Sequence, residues 1–155
     1  MAENEATSPE NAPRLSLKTQ YIRDLSFENP NAPAIFATLG EAPKVDLNLD
    51  LDGQKMADDH FELAIQITVR TSTEKTMFIT ELTYAGLFEV ANIPEEHIEQ
   101  ILMVDCAMML FPFARRVIAD ITRDGGYPPL LLEPVDFYGL YMQRKQQAEG
   151  ESEAS

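Results

Sequence analysis

Between residues 15 and 90, four stretches set most of their apolar side chains two positions apart, and that period fits strands rather than helices. The first stretch, residues 15–28, sets Leu15, Leu17, Tyr21, Leu25 and Phe27 on one face. Ile22, Asp24, Ser26 and Glu28 fall on the other. It stops at Pro30-Asn31-Ala32-Pro33, whose prolines carry no backbone donor to continue a ladder. In residues 45–51, Val45, Leu47, Leu49 and Leu51 alternate with Asp46, Asn48, Asp50 and Asp52. In residues 61–71, Phe61, Leu63, Ile65, Ile67 and Val69 oppose Glu62, Gln66, Thr68 and Arg70. In residues 76–90, Phe78, Leu82, Tyr84 and Phe88 oppose Ile79, Glu81, Thr83 and Glu89. One apolar and one polar face is the habit of an antiparallel sheet. The link Ser72-Thr73-Glu74-Lys75 suits a hairpin. Residues 29–44, with Pro30, Pro33 and Pro43, form a long connection expected to cross from one part of the sheet to another.

The period then changes. After Pro94, acidic Glu95, Glu96 and Glu99 suit the positive end of a helix dipole. Ile98, Ile101, Leu102 and Met109 recur at helical spacing, and Pro112 is expected to kink or break that helix. Ala114, Val117, Ile118 and Ile121 carry the run onward until Gly125 and Gly126 end it. Residues 127–135 hold Pro128, Pro129 and Pro134 and are expected to be extended. Asp136 can cap a last helix whose stripe is Phe137, Leu140, Tyr141 and Arg144. Strands first and helices after predict an α+β fold: a four-stranded antiparallel sheet, a long kinked or broken helix and a C-terminal helix. Residues 14–145 make a single domain. The flanking segments 1–13 and 146–155, rich in Glu, Gln, Ala and Ser, are expected to be disordered tails.

Charge narrows the partners. Against 12 Lys and Arg stand 26 Asp and Glu, a formal charge of −14. Such a field repels phosphate backbones and anionic headgroups, so nucleic acid and membrane surfaces are poor partners and a basic protein is a better one. Cys106 is the one cysteine, so no internal disulfide forms. No run approaches the roughly 20 apolar residues of a membrane span. Residues 1–14 lack the apolar block of a secretory signal. A cytoplasmic protein is expected.

The sequence supports no reaction and no cofactor. Asn48-Leu49-Asp50-Leu51-Asp52-Gly53, with Asp59 in the twelfth place, imitates a calcium loop. However, its leucines alternate as in a strand, and Lys55 stands where an apolar residue belongs. His60 and His97 are the two histidines, and with a lone cysteine they make no zinc set. Cys106 lies in an apolar helical run, where an inert buried thiol is the ordinary state. Met103, Met108, Met109 and the segment Phe111-Pro112-Phe113 read as core or subunit interface. A first strand of about 14 residues at about 3.3 Å each spans roughly 46 Å. A compact chain of this size is only about 40 Å across, so self-association is expected.

Five segments follow one another along the chain: Asp24-Leu25-Ser26-Phe27-Glu28 with Pro30-Asn31-Ala32-Pro33, then Ala57-Asp58-Asp59, Ala85-Gly86-Leu87-Phe88, Leu110-Phe111-Pro112-Phe113-Ala114-Arg115, and Glu133-Pro134-Val135-Asp136-Phe137. In this order and spacing they resemble the SecB family of bacterial protein-export chaperones. The resemblance covers residues 21–142. It implies a tetramer built from two dimers, without enzymatic activity, metal or nucleotide. That assembly holds unfolded precursor proteins in the cytoplasm and delivers them to the SecA motor ATPase. By the same resemblance Asp24, Glu28, Ile79 and Glu81 contact SecA. Phe36, Leu39, Thr80, Leu82, Tyr84, Leu140 and Tyr141 line the client groove. This chain has no tryptophan; Leu39 and Gly40 stand near the place in the crossover where the family often has one. The alternative from the charge pattern alone is an acidic oligomeric adaptor that binds one folded partner through its sheet face.

Overall fold

A computed structural model of the protein describes residues 11–153. Strands β1 (Arg14–Glu28), β2 (Lys44–Ala57), β3 (His60–Ser72) and β4 (Thr76–Ala91) form one antiparallel sheet in the order β1-β4-β3-β2. The connection after β1 therefore passes from one edge of the sheet to the other, with a short 3-10 turn (Ala34–Thr38) on the way. Helix α1 (Glu95–Gln100), a π-helical stretch (Ile101–Cys106) and α2 (Ala107–Asp124) run together as a 30-residue kinked helix. Pro112 lies inside α2 without ending it. The irregular segment 127–136 leads to α3 (Phe137–Glu153).

Sheet faces follow from the register. Phe61, Leu63, Ile65, Ile67 and Val69 of β3 stand opposite Phe88, Gly86, Tyr84, Leu82 and Thr80 of β4. All of these β3 and β4 side chains are buried beneath the long helix, whose Leu102, Cys106, Ala107, Leu110, Ala114 and Ile118 complete the core. Helix and sheet approach closely at Gly86, where an added Cβ would sit 2.8 Å from Leu110 Cδ2. A larger residue there would push the two layers apart.

Strand β1 departs from strict alternation. The register shifts between Leu17 and Thr19 and again between Ile22 and Asp24, which leaves Lys18 and Arg23 as bulged residues. Each bulge exchanges the faces once. Leu15, Leu17, Leu25 and Phe27 keep the helix side, as the alternation predicts. Between the bulges the faces are swapped: Tyr21 pairs with Ala85 on the outer face and Ile22 with Tyr84 on the inner. The expectation that Tyr21 shares a face with Leu25 and Phe27 is therefore corrected.

The helix ends as its glycines predict. Gly126 has φ +95°, its N–H donates to the Arg123 carbonyl at 3.0 Å, and the Tyr127 N–H donates to the Thr122 carbonyl at 3.2 Å. This pair of bonds satisfies carbonyls that the last turn leaves free. Buried Tyr127 then ties the helix end to the sheet. Its hydroxyl donates to the Met77 carbonyl at 2.9 Å and lies 2.5 Å from Asn29 Oδ1, while Asn29 Nδ2 donates to the Gly125 carbonyl at 2.9 Å. Asp136 caps α3 through the Gly139 N–H at 3.0 Å. That helix runs past residue 145 to Glu153, so helix occupies much of the stretch expected to be a disordered tail. Its Gln146, Gln147, Ala148 and Glu149 are good helix formers. Residues 1–10 and 154–155 of the expected tails lie outside the described residues.

Replacing Gly126 by alanine puts a Cβ into the left-handed region and 2.8 Å from the Phe36 ring. The expected loss is on the order of 1–3 kcal/mol. Urea unfolding at an unchanged m-value is the check.

Candidate functional site

Two surfaces carry the features of a site, one on each side of the sheet. On the outer face, Asp24, Ser26 and Glu28 of β1 stand opposite Thr83, Glu81 and Ile79 of β4. The register thus brings Asp24, Glu28, Ile79 and Glu81 into one two-strand patch, since directly opposed residues lie about 4.5–5.5 Å apart. The three carboxylates are exposed, Ile79 is half-buried, and no described cation pairs with Asp24, Glu28 or Glu81. The patch therefore offers three carboxylates outside any described ion pair around one aliphatic side chain, with Arg70 of β3 opposite Ile79 at its border.

Carboxylates farther along the same face are neutralised locally. Glu89 lies 3.0 Å from Arg14 and 3.1 Å from Lys18, and the Lys18 hydrogen bond holds its carboxyl below the usual range. Buried Glu62 accepts from Arg23 Nη1 at 2.7 Å and from the Tyr21 hydroxyl. That hydrogen bond, followed by burial and the Glu62 charge, raises the Tyr21 pKa.

On the inner face, β2 extends beyond the cover of the long helix. Val45 and Leu47 are 43% and 48% exposed although they sit on the apolar side of the sheet. Together with Leu131, Val135 and Leu140 they line a groove of about 950 Å³. Through Leu140 and Gln143 this groove continues into a second hollow lined by Leu49, Leu51, Met103 and Tyr141. Through Glu99 and Met103 it reaches a third beside Gly53, Phe61, Ile98 and Leu102. The result is one apolar trench along β2, walled by α3 on one side. Arg144 of α3 pairs with Asp50 at the β2 edge.

Only part of the expected client set lies in this trench. Leu140 and Tyr141 line it. Phe36 packs on Tyr127 with ring centroids 5.3 Å apart, and Leu39 is partly exposed nearby in the chain; neither lines the trench. Thr80, Leu82 and Tyr84 do not reach it either: they are buried between sheet and helix, and the Thr80 hydroxyl donates to the Ser26 carbonyl at 2.8 Å. The trench is lined by Val45, Leu47, Leu49, Leu51, Met103 and Leu131, none of which the sequence places in a groove. The β2 leucines were legible as an apolar face. What the alternation could not convey is that β2 is an edge strand, which the crossover determines.

Asn48–Gly53 is strand within β2, so its carboxylates point outward in a row and do not converge. Among the described residues no cluster of three or more His, Cys, Asp or Glu could hold a metal ion. Cys106 is fully buried, and burial, reinforced by the charge of Asp105, pushes its thiol up to about 12.

A family model described as preprotein translocase subunit SecB matches residues 8–148. The chain belongs to the SecB family. Protein-export protein SecB of Parvibaculum lavamentivorans is 50% identical over 138 residues, covering 88% of this chain and 82% of that protein. SecB of Rhodopseudomonas palustris strain HaA2 is 41% identical over 158 residues, covering 100% of both. Among solved structures, a SecB-like chaperone of Mycobacterium tuberculosis in complex with a ChAD peptide from the HigA1 antitoxin aligns with a TM-score of 0.67 at 18% identity. It covers 79% of this chain and 91% of that one, and at that identity shows a shared fold. The protein is accordingly a protein-export chaperone that binds precursors for export. SecB chaperones are non-enzymatic and cytoplasmic, and no helix of the described residues is long and apolar enough to cross a membrane.

A thiol with its pKa near 12 and no solvent access is expected to ignore Ellman's reagent at pH 8 in the folded chain. Full reaction should appear only in denaturant. Stoichiometric labelling of the native protein within minutes would contradict this burial.

Proposed function

We propose that the trench along β2 holds unfolded precursor segments without ATP, and that the acidic outer face docks the SecA motor. The observation that carries the first half is the row Val45, Leu47, Leu49, Leu51 on an edge strand, exposed at Val45 and Leu47 and half-buried at Leu49 and Leu51. From Val45 to Gly53, at about 3.3 Å per residue, the row runs roughly 26 Å. Each apolar client side chain laid into it contributes about 1.5–3 kcal/mol before the cost of ordering the client. Several weak pockets in series favour any extended chain with exposed apolar residues. A folded protein hides those residues and is passed over.

The second half rests on the patch of Asp24, Glu28, Ile79 and Glu81. Unpaired carboxylates around an aliphatic residue suit a basic, partly apolar element of a partner, and they speed its encounter. Trench and patch lie on opposite sides of the sheet, so a motor can engage while a client is still held.

The same reading includes a homotetramer, a dimer of dimers. Met109 and Phe113, one turn apart on α2, are 39% and 43% exposed, and Ile22 and Leu25 of β1 are also exposed. Apolar residues grouped on a helix face and a neighbouring strand edge are the mark of a surface that a second copy covers.

Reversing Asp24 and Glu81 to lysine is expected to weaken SecA binding about tenfold or more, since two attractive charges become repulsive. Isothermal calorimetry reads it, and aggregation suppression of a denatured precursor should persist. Leu47→Asp with Leu140→Asp should do the reverse, abolishing aggregation suppression while SecA still binds. An adaptor for one folded partner would show no protection of unrelated denatured proteins in either background.

A further inference from the structure

We infer that Arg23, held by Glu62, is a positioning residue for the acidic docking face. This inference rests on the proposed SecA site and concerns what fixes its shape. Asp24 and Glu28 face outward only because β1 adds an extra residue at position 23 after the earlier bulge at Lys18. With the first bulge alone, Asp24, Ser26 and Glu28 would point toward the helices. A bulge lacks one ladder pairing and is held by side-chain contacts instead. Both bulged residues are cations, and each meets a glutamate on the outer face: Lys18 with Glu89 at 3.1 Å and Arg23 with Glu62 at 2.7 Å.

The second contact is the firmer. Glu62 is 9% exposed and also accepts a hydrogen bond from Tyr21, so its carboxylate is fixed from two directions. It lies on β3, two strands away from β1. The small residues Ala64 and Ala85 occupy the outer face next to it, opposite each other in register. Tyr21 and Arg23 thus reach across β4 to a buried anchor, on either side of the point where the face exchange happens. Beyond that point Phe27 is fixed on the inner side by stacking on Phe78, ring centroids 5.5 Å apart. The backbone that carries Asp24 is held from both ends.

The sign of the effect separates positioning from simple charge. Arg23 is a cation directly beside Asp24. On electrostatics alone, removing it makes the patch more negative and tightens a basic partner. If Arg23 positions the patch, its removal loosens Asp24 and weakens the partner. Arg23→Gln is therefore expected to weaken SecA about fivefold, equivalent to about 1 kcal/mol, and Arg23→Glu should weaken it further. Arg23→Glu combined with Glu62→Arg, which rebuilds the pair in reverse, should recover most of the affinity.

The measurement is calorimetry with purified SecA, with far-UV circular dichroism and a melting curve as the folding control. Equal or tighter binding by Arg23→Gln overturns the inference. So does a reversed pair that binds no better than Arg23→Glu alone, a comparison that remains decisive if Arg23→Gln does not fold. Glu81→Lys serves as the reference: if it leaves SecA affinity unchanged, the docking site itself is wrong, whereas a loss there without one at Arg23 rejects the positioning role alone.

Discussion

A single long helix cannot cover a four-stranded sheet, and most of the surface chemistry of this protein follows from that mismatch. Strands about 4.8 Å apart make four of them nearly as wide as two helices set side by side. The helix lies over β3 and β4, whose inward residues are buried without exception. Both edges are left with apolar side chains and partial cover. At the β2 edge this gives the trench of Val45, Leu47, Leu49 and Leu51. At the β1 edge it leaves Ile22 and Leu25 exposed. The chain balances a fully packed centre against two borders that remain available for other polypeptides.

The sheet also keeps two kinds of chemistry apart. Its inner side offers apolar area along β2; its outer side carries charge, whose placement depends on the register of β1. Position on the outer side is set by β1, where two bulges change the orientation of the strand and restore it. The carboxylates that secure those bulges, Glu62 and Glu89, are paired, while Asp24, Glu28 and Glu81 remain unpaired among the described residues. Acidic residues of identical type are thus either fastened in ion pairs or left outside them.

Much of this organisation could be read from the residues. Alternation located every strand, the glycine pair located the helix end, and Asp136 located the start of the last helix, because each is a local device acting within a few residues. The resemblance to the SecB family singled out Asp24, Glu28, Ile79 and Glu81, and the sheet register indeed brings those four together. Tyr21 was misplaced because a bulge leaves no mark in a hydrophobic pattern; it inserts one residue and reverses the parity. Thr80, Leu82 and Tyr84 were assigned to a surface although the helix that buries them follows much later in the chain. The exposed state of Val45 and Leu47 depends on strand order, and strand order depends on a crossover whose path no local pattern encodes.

The register of β1 has a consequence for how the molecule comes into being. Strands β2, β3 and β4 follow one another as a meander and can pair as each is synthesised, but Arg14 has no partner until Ala91 exists. The earliest strand to emerge is the last to be paired, and it must wait with its apolar side chains uncovered while a contact of high sequence separation forms. A protein that binds other chains for export thus begins with its own first strand unpartnered.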